Sequence, residues 1–444
     1  NELNNLKDSY YSIKKIENIL KQIDKIVLNE QYESINAVVD ENLLEDKLNL
    51  TFKIFEEEKI FIERINIIGN NITSENVIRN QLAIDEGDPF NKILESKSIN
   101  NIKSLNFFRS VESKVSNSSD GNSKIINIKV EEKPTGEIMA GAGFGTSGSS
   151  ILFGVKENNF LGNGVGLDAN INLATDSIKG KFSVNNPNYK NSDKSLNFTL
   201  LATETNRLTN SGYKTNQTGA SLGTRFEYYD DFFFKLGGSL FYEKLETDST
   251  ASARQKTQEG DYFDGFLNFN FDYDKRDQKF QTSDGFRSNY GVDVPLISES
   301  YTLTNSFNYK YFSELYEDNI TSISFSFKSA NSINNEDVKL SERLYLSPSK
   351  LRGFEFGKVG PKEGDDFVGG NFISSLNLNS TLPQILSNNE NTDFLIFMDI
   401  ANIWGVDYDS SLDDDKIRSS IGIGIDWFTP VGPLTFSLAQ PLSK

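Results

Sequence analysis

The side chains available for chemistry are carboxylates, amides, hydroxyls, lysines and arginines, because the 444 residues contain no His and no Cys. That composition removes the usual zinc centres, cysteine nucleophiles, disulfides and every triad that needs an imidazole base. Carboxylate-only catalysis remains open, but with 63 Asp and Glu a pair carries no meaning without geometry. Asp274 and Asp277 in "YDKRDQKF" read as partners of nearby arginines in a hairpin, not as a catalytic pair. "KEGDD" (362–366) and "DDDK" (413–416) read as solvated loop charge, with weak cation binding left open. No catalytic residue, metal ligand or cofactor is expected. One stretch asks for ion pairing instead. In "YLSPSKLRGFEFGKVGPKEGDDFVGGN" (345–371) the cation Arg352 stands between Leu351 and Gly353-Phe354, in a long segment without periodicity. Such connections are uncommon unless functional or disordered. A carboxylate to meet Arg352 is offered by "FLIFMDIANIW" (394–404): Phe394, Ile396, Met398, Ile400 and Trp404 share one apolar face, so Asp399 points the other way.

The elements that would hold these groups are strands. Hydrophobic residues are only 37%, while aromatics reach 12%, with 34 Phe and 17 Tyr. A transmembrane β-barrel has that mixture, since only alternate residues face lipid. No apolar run of about 18 residues occurs, which excludes a helical span. The net charge of −18 argues against nucleic acid as a partner. "NELNNLKDSY" lacks the apolar stretch of a signal peptide, so the expectation is a mature fragment or a cytosolic protein.

From Pro134 the period is two. Val165, Leu167, Ala169, Ile171 and Leu173 alternate with polar residues or Gly, as do Phe263, Leu267, Phe269, Phe271 and Tyr273 against Asp264, Asn268, Asn270 and Asp272. Ile421, Ile423, Ile425 and Trp427 repeat the pattern. About fifteen such strands follow one another between 137 and 440, longer than a soluble sandwich uses. Residues 59–133 read differently, as a small β-α-α-β-β module. "FIERINIIGN" opens it, "TSENVIRNQL" supplies a Thr/Ser-capped helix, and "VESKV" and "KIINIKVEE" close it. A shortened copy occupies 1–58, with Glu57-Glu58-Lys59 matching Glu131-Glu132-Lys133 one module length later. The expected division is therefore a partial module (1–58), a complete one (59–133) and a barrel (134–444) with an inward loop at 331–368.

This arrangement resembles the BamA-type outer-membrane insertases, in which polypeptide-transport-associated (POTRA) modules precede a barrel. "GAGFGTSGSSILFGVKENNFLGNG" (141–164) is similar to the family's first hairpin. "LRGFEFG", followed by "GGN" (369–371), is similar to its sixth-loop motif, and "RSSIGIGIDWFTPVGPLTFSLAQPL" (418–442) to its penultimate hairpin. The resemblance implies α+β POTRA modules followed by an all-β antiparallel transmembrane barrel of sixteen strands, with the last strand missing after "AQPLSK". It implies insertion of β-barrel clients into the bacterial outer membrane without ATP or any chemical step, the modules lying in the periplasm. Implied partners are unfolded barrel clients, accessory lipoproteins, the bilayer and lipopolysaccharide. Alternatives are a translocation-and-assembly relative or a two-partner secretion pore.

The resemblance also assigns residues. Leu351, Arg352, Gly353 and Phe354 form the loop motif, with Asp399 as inner-wall partner. Asn379 stands where the family often has a Glu, which predicts a weaker pin. Glu137, Gly141, Gly143 and Gly145 mark the first strand, whose glycines weaken pairing at a lateral seam. Trp427, Pro430, Gly432 and Pro433 form the penultimate hairpin turn. Trp404, Trp427 and Phe428 suit an interfacial girdle.

Overall fold

The computed structural model describes residues 35–44, 47–56, 59–119, 121–145, 148–249, 251–278, 282–316, 319–382, 392–413, 416–429 and 432–443, with single positions 19, 23 and 26. Two units emerge, residues 1–136 with 158–165, and the remainder. The turn 158–165 thus groups with the first unit.

In the first unit, β1 (Ile35–Leu44) and β2 (Lys47–Glu56) form an antiparallel hairpin. β2 matches the closing strand expected of the partial module, and β1 is a strand that the sequence reading did not find. The stretch "IKKIENILKQI" (13–23), helical in its sequence pattern, lies almost wholly outside the described residues, as do Glu57 and Glu58.

The complete module follows as β3 (Phe61–Ile68), α1 (Glu75–Arg79), α2 (Lys92–Ser104), β4 (Phe108–Asn117) and β5 (Ser123–Glu132). β5 lies between a parallel β3 and an antiparallel β4. Ile78 of α1 and Ile99 and Ile102 of α2 are buried against Ile62, Ile65, Ile126 and Ile128 of the sheet. β3 ends at Gly69, whose φ of +96° favours glycine, and a Cβ there would lie 2.1 Å from the Val130 carbonyl oxygen.

The expected cap of α1 is not formed: Ser74 makes no side-chain cap bond. The backbone of this loop is satisfied by Glu132 instead, which accepts from the amides of Asn71 (3.0 Å), Ile72 (2.9 Å) and Thr73 (2.6 Å). Burial acts to raise the Glu132 pKa, but the hydrogen bonds from Thr73, Ile72 and Asn71 outweigh it and hold the carboxyl below its ordinary value.

The second unit is one antiparallel sheet of fifteen strands, in agreement with the expected count. Its members are β6 (Gly136–Gly145), β7 (Gly148–Phe160), β8 (Val165–Ala174), β9 (Ser177–Asn186), β10 (Ser195–Arg207), β11 (Tyr213–Tyr229), β12 (Phe232–Thr247) and β13 (Gly260–Asp274). β14 (Gly285–Ile297), β15 (Thr302–Tyr316), β16 (Asn319–Ser332), β19 (Phe372–Thr381), β20 (Thr392–Trp404), β21 (Arg418–Thr429) and β22 (Gly432–Ser443) complete it. Each strand pairs with its sequence neighbour, so the sheet ends on β6 and β22. Among the described residues no pairing joins these two strands.

Period-two alternation sets the faces. Ile421, Ile423, Ile425 and Trp427 are exposed on the outer face, where a lipid-facing surface belongs. On the same face, ring contacts such as Phe234–Phe271 (5.1 Å), Phe271–Tyr290 (6.4 Å) and Phe286–Tyr309 (5.8 Å) run from β12 to β15. Trp404 joins this face, stacked on Phe372 at 5.6 Å.

Between β16 and β19 the chain makes a long loop, residues 333–371, interrupted only by a two-residue hairpin of β17 (Lys362–Glu363) and β18 (Asp366–Phe367). The loop is therefore a few residues longer at its far end than the expected 331–368. It is well packed: Leu346, Leu351 and Val359 are buried with Ile373 of β19 and Ala401 and Ile403 of β20. These wall residues lie on the opposite side of their strands from exposed Ile396, so the loop lies inside the barrel wall.

Candidate functional site

Asn377 of β19 lies directly opposite Asp399 of β20, and Asn379 opposite Phe397. All four share the inner face because their positions have the same parity in paired registers. Arg352 reaches this patch. Its Nε donates to Asp399 Oδ2 at 2.7 Å and its Nη2 to Asp399 Oδ1 at 2.7 Å, a bidentate pair. Nη2 also donates to Asn379 Oδ1 at 2.9 Å. The Arg352 backbone amide (3.0 Å) and Asn377 Nδ2 (2.8 Å) complete the shell around Asp399. The guanidinium carbon lies 3.4 Å from the Phe397 ring centroid, a cation–π contact.

Asp399 is fully buried and the Arg352 side chain is 20% exposed. Full donor satisfaction is what makes such burial tolerable. The expected pin is present, with Asn379 as its neutral third member. Asn379 is two residues from the end of β19 farther from the loop's own rim, so the tip descends through most of the wall's depth.

The other motif residues serve the approach. Leu351 is buried in the apolar cluster and Phe354 packs against it. Gly353 has φ +86°, and a Cβ there would meet the Ala439 Cβ at 3.0 Å. A side chain would thus be strained and would press on β22. The first-strand glycines differ. None of Gly141, Gly143 and Gly145 has positive φ; a Cβ at Gly141 would meet nothing closer than 3.8 Å, and one at Gly145 nothing within 4 Å. Only Gly143 is mildly confined, at 3.2 Å from Ser150 Oγ. Crowding at a bend therefore does not explain them. Glu137 is exposed on the same edge strand. Trp427 pairs with Leu434 at the penultimate hairpin, where Gly432 and Pro433 face Thr429 and Phe428 in register. Pro430 and the side chain of Phe428 lie outside the described residues.

Sequence reasoning missed three further pins of the loop. Lys339 Nζ lies 2.7 Å from Asp264 Oδ2 and 3.2 Å from Glu243 Oε1, with all three side chains 4% exposed. Ser298 donates to Asp264 and Ser341 to Glu243, and Glu342 accepts from Ser300 and Thr302. Arg343 is fully buried and pairs with Asp407, which also accepts from the Val338 amide at 2.7 Å. Burial acts to raise the Asp407 pKa, but Arg343 and the Val338 amide outweigh it and lower the value overall. In the third pin the polarity is reversed. Arg207, at the end of β10, carries its guanidinium 4.2 Å from the Tyr345 ring and 5.1 Å from Phe356, and donates to the Tyr213 hydroxyl at 2.8 Å. The only sequence signal for these was parity, which places Asp264 on the polar face of β13.

At the opposite rim the arginine–aspartate reading of "YDKRDQKF" holds for Asp274 and not for Asp277. Arg276 is bidentate to Asp274 at 2.7 Å, and Arg287 to Asp272 at 2.7 and 3.0 Å. Asp277 accepts from the amides of Ser283 and Asp284 instead.

The Omp85 superfamily domain matches residues 159–444. A POTRA domain, described as a surface antigen variable number repeat, matches residues 60–133. An outer membrane protein assembly factor BamA from Neorickettsia risticii is 26% identical over 432 residues, covering 94% of this chain and 57% of the relative. Its counterpart from Nitratidesulfovibrio vulgaris is 22% identical over 443 residues, covering 93% and 52%. The chain thus spans about half the length of these curated relatives. Among solved structures, BamA from Haemophilus ducreyi lacking POTRA domains 1–3 superposes with a TM-score of 0.73 at 23% identity, covering all of this chain and 94% of that one. CdiB from Acinetobacter baumannii superposes with a TM-score of 0.61 at 13% identity, covering 97% and 79%. At these identities the structural likeness is one of fold.

Proposed function

Because the chain belongs to the Omp85 superfamily, we propose that it acts as an outer-membrane protein assembly factor, folding β-barrel clients into the membrane by offering them a strand edge. Its barrel lies in the bacterial outer membrane and its POTRA module in the periplasm. The observation that carries the proposal is the contrast between the sheet's first strand and its inner pins. β6 leaves one edge without a partner strand in the sheet, whereas the loop fastens β10, β12, β13, β19 and β20 from within. An unpaired strand edge is a row of backbone donors and acceptors ready for β-augmentation. The glycines of β6 lower the stability of any pairing it makes, so a client strand competes against a weak partner. No covalent step and no nucleotide enter this account, because each added strand gains its own hydrogen bonds.

The clients are unfolded β-barrel proteins, with accessory lipoproteins, the bilayer and lipopolysaccharide as further partners. An in vitro test presents a small urea-unfolded barrel to liposomes with and without this protein, and follows folding by heat-modifiable migration. Faster folding with the protein supports the proposal. An unchanged rate, accompanied by ion conductance through the liposomes, would replace it with a polypeptide-transport pore.

A further inference from the structure

Acidic side chains number 63 against 45 basic ones, and several cations of the inner wall and its loop meet a carboxylate. Arg276, Arg287, Lys339, Arg343 and Arg352 each have one. Lys310 of β15 and Lys350 of the loop do not: among the described residues neither ammonium has an ion-pair partner. The two line one cavity of about 350 Å³ together with Arg276, Arg287, Asn308 and Phe312.

Register fixes the wall side of this cavity. Lys310 lies between Arg287 of β14 and Ser324 of β16, on the inner face, and its ammonium is 4.6 Å from the Phe312 ring centroid. The loop side is fixed by Asn377, which donates to the Lys350 carbonyl at 2.9 Å. Lys350 is therefore held by its backbone while its ammonium is left to the cavity. Arg276 and Arg287 are neutralised by their bidentate aspartates and Asp426 acts on Lys310 from beyond ion-pair distance, so the two lysines are the cations of the cavity without a bonded carboxylate. Like charges converging on one cavity destabilise one another, and a counter-ion reverses the sign of that interaction.

We propose that this cavity binds a small oxyanion of the phosphate class between Lys310 and Lys350. Compact ammonium groups serve phosphate as point charges, without the planar geometry an arginine fork imposes. The bound anion would tie the loop to the middle of β15, a strand that the Lys339 pin meets at its first residue, Thr302.

The test uses the whole chain in detergent micelles, with inorganic phosphate exchanged for chloride at constant ionic strength. Phosphate is expected to raise the urea midpoint of unfolding along a saturable curve, by mass action on the folded state. Lys310→Gln and Lys350→Gln should each weaken the apparent affinity by about tenfold, the loss of one charge-assisted bond. Lys350→Arg should retain most of it. Repeating the titration with phosphatidic acid separates the sources: saturation by free phosphate assigns a dissolved oxyanion, and an effect of phosphatidic acid alone assigns a lipid headgroup. The absence of a saturable effect of either on the wild-type chain overturns the proposal without need of a variant. An undiminished effect in both Gln variants overturns it equally.

Discussion

Replacing Asp399 by Asn keeps the shape of the pin and deletes its charge. Two unit charges about 4 Å apart attract by about 4 kcal/mol at an effective dielectric near 20, before desolvation is subtracted. Removing one member of a buried pair costs about 3–5 kcal/mol, because the other charge stays behind uncompensated. Here the loss should be smaller. The Arg352 side chain is 20% exposed, so water in the lumen partly replaces the carboxylate. The new amide also keeps one acceptor oxygen for Asn377 or Arg352, although its NH₂ then faces donors. About 2–3 kcal/mol is the expected loss, on the lower side of the buried-pair range.

The assay is urea unfolding of the whole chain in detergent, read by heat-modifiable migration. Asn379→Glu supplies the complementary arm. Arg352 Nη2 already donates to Asn379 Oδ1 at 2.9 Å, so a carboxylate there converts a neutral acceptor into a charged one. The gain should be about 1 kcal/mol, and in the double variant it should recover part of the Asp399→Asn loss. An Asp399→Asn midpoint equal to wild type would refute the pin as a stabilising element. A loss that Asn379→Glu does not reduce at all would refute the electrostatic account and leave packing as the cause.

Four other outcomes are expected. Lys339→Met leaves Glu243 and Asp264 without their cation, and should cost about 3 kcal/mol and expose residues 333–344 to protease; limited proteolysis of the folded chain measures it. Tyr345→Ala removes one face of the Arg207 cage and should loosen the loop near Phe356 by about 2 kcal/mol or more, read as faster hydrogen exchange there. Gly353→Ala combines left-handed strain with the Ala439 contact and should cost about 1–3 kcal/mol; Ala439→Gly should recover only the contact part. Glu132 has a folded-state pKa below its unfolded value, so its contribution is fully present above the unfolded pKa and is lost as pH falls through the folded one. The protection factors of the Asn71–Thr73 amides, corrected for intrinsic exchange, should therefore fall in mildly to strongly acid solution, and Glu132→Gln should show low protection at every pH.

Much of this was legible because two periodicities are strong. Alternation in segments of about ten residues marked about fifteen barrel strands, and parity alone turned Asp399 inward. β1 was missed because "INAVVDENLL" carries Asp40, Glu41 and Asn42 in succession, which hides alternation. The cap at Ser74 failed for a non-local reason: Glu132, far along the chain, supplies the acceptor that a local hydroxyl would have given. The same holds for Lys339, Arg343 and Arg207. Each is an isolated cation in its own stretch, and its partners come from strands dozens of residues away. Ion pairs leave no period in sequence, so only a motif of known company, such as Arg352 with its flanking glycines, announces itself.

The placement of the pins bears on which edge of the sheet is free to move. They fall on β10, on β12 and β13, on β19 and β20, and on the rim segment holding Asp407, while Gly353 rests against Ala439 of β22. None falls on β6–β9. The β22 edge is therefore backed from inside by the loop tip, whereas the β6 edge depends on strand pairing alone, through glycines that neither backbone angle nor space requires. If clients are assembled at a strand edge, as proposed above, opening costs least where β6 and its neighbours swing while β22 stays in place. Cross-linking a cysteine pair introduced at Gly353 and Ala439 should leave client folding intact, whereas a cross-link between β6 and β22 should abolish it. If locking the loop tip to β22 stops folding as completely as locking the edges together, the moving edge is β22 and the asymmetry of the pins has been misread.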